Sequence, residues 1–237
     1  MKKTSFSLVI LPICLLLAGC GTDEYQSRLD KSMSGASSGS KFSSELGAET
    51  TIPGTSVSLR IPTKMQSVQD LNDPVRGKCT LFEIQGLKAT YEGSVVDQAG
   101  NKLHYFLYVG VSDLGGNELI PTRIWLGELQ GNFPKSTDGS AEVNKSYTVS
   151  TPEGSSKQWE EIHFKCPQKF FYPTTNNPQN NQEMPGTLVC LCHAENKVVV
   201  SLVFRYPDNL ETLHSADFDS DWIKLIAGCV KVGGSGG

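Results

Sequence analysis

Charge is scarce in this chain, and none of it adds up to a basic excess. Asp, Glu, Lys and Arg make up 19% of the 237 residues, and 21 basic against 25 acidic side chains leave a formal charge of −4. Soluble domains usually carry about 25% charged residues. So little charge, beside 38% hydrophobic residues, excludes a charge-swollen disordered protein. The mildly acidic balance argues against nucleic acid as the main partner. Also missing is an apolar run of the ~20 residues that a membrane-spanning helix needs. The strongest candidate, Phe6 to Ala18, falls short of that length. No repeat period is visible. The length suits one large domain or two small ones with a real core.

What is present begins at the N-terminus. Lys2 and Lys3 precede the apolar run, which ends in Leu17-Ala18-Gly19-Cys20. A basic start, a short apolar stretch and small residues at a cleavage point describe a secretory signal. Leu-Ala-Gly-Cys resembles the bacterial lipobox. The resemblance implies that the signal is residues 1–19, that Cys20 carries the lipid, and that its new amine is acylated after cleavage. The mature chain would then have 218 residues and, with two lysines gone, a charge of −6. Two or three acyl chains give stable membrane anchoring where one does not. A soluble part of that sign is not drawn to an anionic surface, so the lipid alone would hold it there. The expected location is the bacterial cell envelope, with the outer membrane preferred where the cell has one, since Gly21 rather than an aspartate follows the cysteine.

Residues 20–55 then read as the acylated cysteine and a flexible tether, because seven serines between Ser32 and Ser44 interleave with Gly35, Gly39 and Gly47. Residues 56–232 read as one α+β domain: an antiparallel sheet covered by helices, including an amphipathic C-terminal helix. Val57, Leu59 and Ile61 alternate up to Pro62 as an opening strand. Ala89–Val96 and Leu103–Val111 form a hairpin around Gly100-Asn101, and Ser146–Ser150 pairs Gln158–Cys166 around Pro152-Glu153-Gly154. The stretch from Pro121 to Gln130 fits a short helix or a strand, and Tyr172 to Gly186 reads as a long polar loop. Thr187–His193 turns through Ala194–Lys197 into Val198–Tyr206, whose two apolar faces mark a central strand. Phe218, Trp222, Leu225, Ile226 and Cys229 make one stripe of a helix from about Asp219 to Val230. Residues 233–237 read as a disordered tail. The element order, from the Leu59-Arg60-Ile61-Pro62 strand to Phe204-Arg205-Tyr206-Pro207 and the closing helix, is weakly similar to the PsbP-like α–β–α sandwich. That resemblance implies binding roles and transfers no functional residue.

Catalytic templates fail one by one. Gly233-Gly234-Ser235-Gly236-Gly237 has no helix after it, as a nucleophile elbow requires. Ser38-Gly39-Ser40-Lys41 has the spacing of some acyl-enzymes, but it lies in the tether. Asp217, Asp219 and Asp221 begin like a calcium loop, yet its sixth and twelfth places hold Trp222 and Gly228. These acids suit the start of a helix instead, with Asp219 or Ser220 as cap. His163 and His193 alternate away from Cys166, Cys190 and Cys192 on their strands, which argues against a zinc or Cys–His site. Tyr91, Tyr105, Tyr108, Trp125 and Trp159 fit a ligand cleft or a plain core equally well.

These patterns predict no catalytic residue, no metal and no cofactor, and a non-catalytic protein-binding or structural role. An exported small-ligand carrier or an enzyme with scattered site residues is the alternative. The expected partners are the membrane, through acyl chains on Cys20, and a protein of the envelope. Cys79, Cys166, Cys190, Cys192 and Cys229 remain as disulfide candidates, since exported thiols tend to pair. Cys229 ends the helix stripe, so it is expected to pair with Cys190 or Cys192; Cys166 or Cys79 could join a second bond. A Cys190–Cys229 bond would close a loop of about 40 residues and stabilise by roughly 3–4 kcal/mol.

Overall fold

A computed structural model describes residues 42–73, 76–77, 83–96, 102–113, 142–173, 181–207, 210 and 221–233. After a helical turn over 42–45, the chain forms β1 (Leu46–Thr51), β2 (Val57–Pro62), β3 (Gln66–Ser67), β4 (Leu87–Val96) and β5 (Lys102–Asp113). Next come β6 (Glu142–Ser150), β7 (Ser156–Pro173), β8 (Asn181–Glu195), β9 (Val198–Pro207), the helix α1 (Asp221–Cys229) and β10 (Lys231–Val232). The structure is mostly antiparallel sheet. Seven strands run in the order β3-β4-β5-β9-β8-β7-β6, and a smaller sheet runs β1-β2-β10.

The Val-rich β9 sits between β5 and β8, with all ten residues buried, as its two apolar faces predict. Val198, Val200, Leu202, Phe204 and Tyr206 share one face with Val189 and Leu191 of β8 and Leu107 and Val109 of β5. This first face packs into one continuous core with Trp222, Leu225, Ile226 and Cys229 of α1 and with Val57, Leu59 and Ile61 of β2. Each such side chain, fully buried, contributes about 1.5–3 kcal/mol. The Tyr105 and Trp222 rings lie 6.1 Å apart across the layer. α1 comes close enough to β6 that a Cβ on Gly228 would collide with the Ser150 carbonyl. Of the expected helical cover, the described residues show α1 and the short helical turn over 42–45.

The folded part starts earlier than the composition suggests. Phe42, Leu46 and Ile52 are buried in the core, and β1 pairs β2. The described fold therefore includes residues upstream of 56, from Phe42 on. β1 hides in the sequence because only Leu46 of its six residues is buried. A second difference is the stretch 172–186. β7 continues to Pro173 and β8 starts at Asn181, their register shifting between Cys166 and Phe170, so strand replaces most of the expected loop. At the other end, the backbone N–H of Gly233 donates to the Ser56 carbonyl at 2.8 Å, so the ordered chain reaches that glycine. The stretch 121–130, the capping residues Asp219 and Ser220, and the tail 234–237 lie outside the described residues.

Candidate functional site

Strand alternation gives the seven-stranded sheet a second buried face, and its chemistry differs from the first. Val199, Ser201, Val203 and Arg205 of β9 lie opposite Ala194, Cys192, Cys190 and Leu188 of β8. Across β5 the same rows continue as Ser112, Gly110, Tyr108 and Phe106, and then to Thr90 and Glu92 of β4. Thr90, His104, Ser201 and Arg205 are all buried here.

Arg205 is 1% exposed, and its guanidinium sits 5.6 Å from the Phe106 ring centroid and donates to the Tyr108 hydroxyl at 3.5 Å. His104, Phe106 and Tyr108 stack at 6.5 and 6.0 Å along β5, the spacing of alternate strand positions. His104 Nδ1 is bonded to Glu92 Oε1, and Arg76 approaches the other oxygen at 3.7 Å. Burial pushes the Glu92 carboxyl up, but the bond from His104 and the charges of His104, Arg76 and Lys102 outweigh it and hold it below its ordinary value. The Thr90 hydroxyl donates to the Gly77 carbonyl at 2.7 Å, pinning the 68–77 segment to this edge.

Ser94 lies directly across from His104, so serine, histidine and glutamate share one strand pair. A hydrolase needs the serine hydrogen-bonded to the imidazole that will take its proton. Among the described residues the Ser94 hydroxyl makes no hydrogen bond. The described contact is the His104–Glu92 pair, with Ser94 across the ladder from it.

The cysteines do not meet as expected. Cys190, Cys192 and Cys229 are buried, and none of them forms a disulfide. Cys190 and Cys192 belong to the second face, beside Ile162, while Cys229 lies in the core of the first. The sheet itself separates them, so Cys229 pairs with neither. Burial pushes the Cys192 thiol far up, aided by the charge of Glu160 and only partly opposed by a bond from the His193 backbone. Burial likewise pushes Cys229 up to about 11. Such thiols are poor nucleophiles and poor metal ligands. Cys20 and Cys79 lie outside the described residues, and so does the side chain of Cys166.

The histidines keep the expected parity. His193 turns to the first face, 5.1 Å from Trp159, with Nδ1 donating to the Gln158 carbonyl at 2.8 Å and Nε2 3.2 Å from Glu195. Lys157 donates to the same carboxylate at 2.7 Å. Among the described residues no three His, Cys, Asp or Glu side chains converge on a metal position. Tyr91, Tyr105, Tyr108 and Trp159 are buried, Tyr105 also lining a small apolar pocket with Trp222 and Ile226, and Trp125 lies outside the described residues. The paired second face escaped the sequence reading because Glu92 and His104 are twelve residues apart and meet only through the β4–β5 register.

No family model matches the chain, and no curated protein matches it. Solved structures resemble it weakly. The cyanobacterial PsbP of Synechocystis sp. PCC 6803 is 9% identical with a TM-score of 0.42, over 80% of this chain and 93% of that one. The Saccharomyces cerevisiae Ran-binding protein Mog1p is 10% identical with a TM-score of 0.41, over 80% and 96%. A Bacteroides thetaiotaomicron protein is 9% identical with a TM-score of 0.41, over 80% and 49%. Likeness at this level says nothing about activity.

Proposed function

We propose that this is a lipid-anchored lipoprotein of the bacterial cell envelope whose α+β domain binds a protein partner without catalysing a reaction. The observation that carries the reading is Leu17-Ala18-Gly19-Cys20 placed directly after a basic, apolar leader.

The anchor is tested by labelling with radioactive palmitate, which the wild type incorporates and Cys20→Ser does not. Label that survives the substitution overturns the assignment of Cys20. The partner is tested by affinity capture from membranes with wild type and Cys20→Ser in parallel. A reproducible partner that then binds the purified protein directly supports the reading; a measured turnover abolished by one substitution in the domain defeats it.

A further inference from the structure

One end of the seven-stranded sheet carries a groove of about 660 Å³, formed by the Thr51–Ser56 turn, Val111, Val198, Lys88 and Asp113. Its lining is mixed, with Thr51, Thr55 and Ser56 beside Ile52, Val111 and Val198, the last three largely buried beneath it. Its two charges are opposite in sign. Among the described residues, neither Lys88 nor Asp113 makes an ion pair or side-chain hydrogen bond, with the other or with anything else.

The backbone around Lys88 is specialised. Leu87 pairs Gly110 and Ala89 pairs Val109, so Lys88 is the extra residue of a β-bulge. Bulges bend a strand and re-aim a side chain, and they recur beside binding sites. Just before it, Gly86 has a φ of 65° and accepts a 2.8 Å bond from the Val111 N–H; a Cβ there would strike the Val111 carbonyl. Glycine is needed both for the left-handed φ and for the close approach. Together these features hold Lys88 beside the end of β5, where Asp113 is the last residue of the strand.

The spacing selects a ligand. Asp113 lies three residues beyond Gly110, so strand geometry separates the two Cα atoms by on the order of 10 Å. A free amino acid holds its ammonium and carboxylate much closer than that. An extended peptide advances about 3.3–3.6 Å per residue, so two to four residues span the gap. We propose that the groove binds a short linear peptide by both ends, Lys88 taking the carboxylate, Asp113 the ammonium, and the mixed lining between them the peptide's middle. This does not rest on the lipid anchor, which is read separately by palmitate labelling.

The test is calorimetric titration of the purified full chain with trialanine, N-acetyl-trialanine and trialanine amide. Saturable trialanine binding is expected, weakened roughly fivefold or more by capping either end. Asp113→Asn should weaken trialanine to the same extent and leave N-acetyl-trialanine unchanged; Lys88→Gln should do the mirror image with the amide. Both side chains are exposed, so circular dichroism of the variants should match the wild type. No saturation by about 10 mM trialanine, or equal affinity for all three peptides, overturns the proposal.

Discussion

Along β9 the even-numbered residues Val198, Val200, Leu202, Phe204 and Tyr206 meet α1 and the small sheet, and all of them are apolar in bulk. The odd-numbered residues Val199, Ser201, Val203 and Arg205 face the other way, are equally buried, and alternate apolar with polar. One strand thus serves two interiors with different rules. On the first face, stability comes from volume and close packing, and a loss is measured by the space left behind. On the second, Arg205, Tyr108, His104 and Glu92 are stable only while their partners are in place, and a loss is measured by what is left unpaired.

The largest effect should come from the first face. Ile226 is fully buried between α1 and the sheet. Ile226→Ala should cost about 2–5 kcal/mol by chemical denaturation. A loss under about 1 kcal/mol would mean that α1 is not part of the core, and the contrast would collapse.

On the second face, Glu92→Gln removes the carboxylate that His104 and Arg76 share. The expected cost is on the order of 1–3 kcal/mol near neutral pH, from the partner left in a buried position. The pH profile distinguishes this from simple packing loss. Glu92 is held below its ordinary value in the folded state. Its contribution is therefore present above the unfolded carboxylate pKa and disappears as pH falls through the lower folded value. Wild type should lose stability across that acid window, and Glu92→Gln should lose less. Parallel acid profiles would show that the pair does not hold the face together.

The thiols test whether the sheet truly divides the two interiors. Cys192→Ala and Cys229→Ala should each cost about 1 kcal/mol, as small buried hydrophobes do. Adding reductant should change nothing. A bond between them would instead give a reductant-sensitive loss of about 2–5 kcal/mol. Alkylation without reductant should modify Cys190, Cys192 and Cys229 fully once the protein is denatured and only slowly while it is folded.

Much of this architecture was legible in the residues. The β4–β5 and β8–β9 hairpins and the α1 stripe were readable because each alternates or repeats apolar residues over many positions. Parity alone put His193 apart from Cys190 and Cys192. What parity cannot say is which face a helix covers when a central strand is apolar on both. Cys229 was therefore assigned to the wrong interior, although Val199 and Val203 looked like ordinary core on either side. β1 was lost in a Ser/Gly-rich setting because Phe42, Leu46 and Ile52 are isolated apolar anchors rather than a pattern. The prolines at 173 and 185 masked the far ends of β7 and β8, since proline usually marks a break in a strand. The Glu92–His104 pair and the Lys88 groove depend on registers and a bulge that no single segment encodes.

The smallest predicted effect concerns the turn that assigns residues to the two faces. Glu195 pairs Val198, so β8 and β9 are joined by Asn196 and Lys197 alone, with φ of 52° and 64°. Two left-handed residues make the type I′ geometry whose twist matches a hairpin. The four-residue turn expected from Ala194–Lys197 is thus tighter than its sequence suggests. Asparagine tolerates this region because its short polar side chain bonds locally, and Asn196 also donates to the Val232 carbonyl at 3.4 Å. Lysine has no such compensation, so its Cβ is strained against the following carbonyl. The turn accepts that strain because slipping the pairing by one residue would carry Val189 and Leu191 to the second face and Cys190 and Cys192 to the first. Lys197→Gly should relieve the strain while adding freedom to the unfolded chain. The net gain should be about 0.5 kcal/mol, seen as a small rise in denaturation midpoint with unchanged slope. A clear loss would show that Lys197 contributes through its side chain, and the register would then be held by something other than backbone geometry.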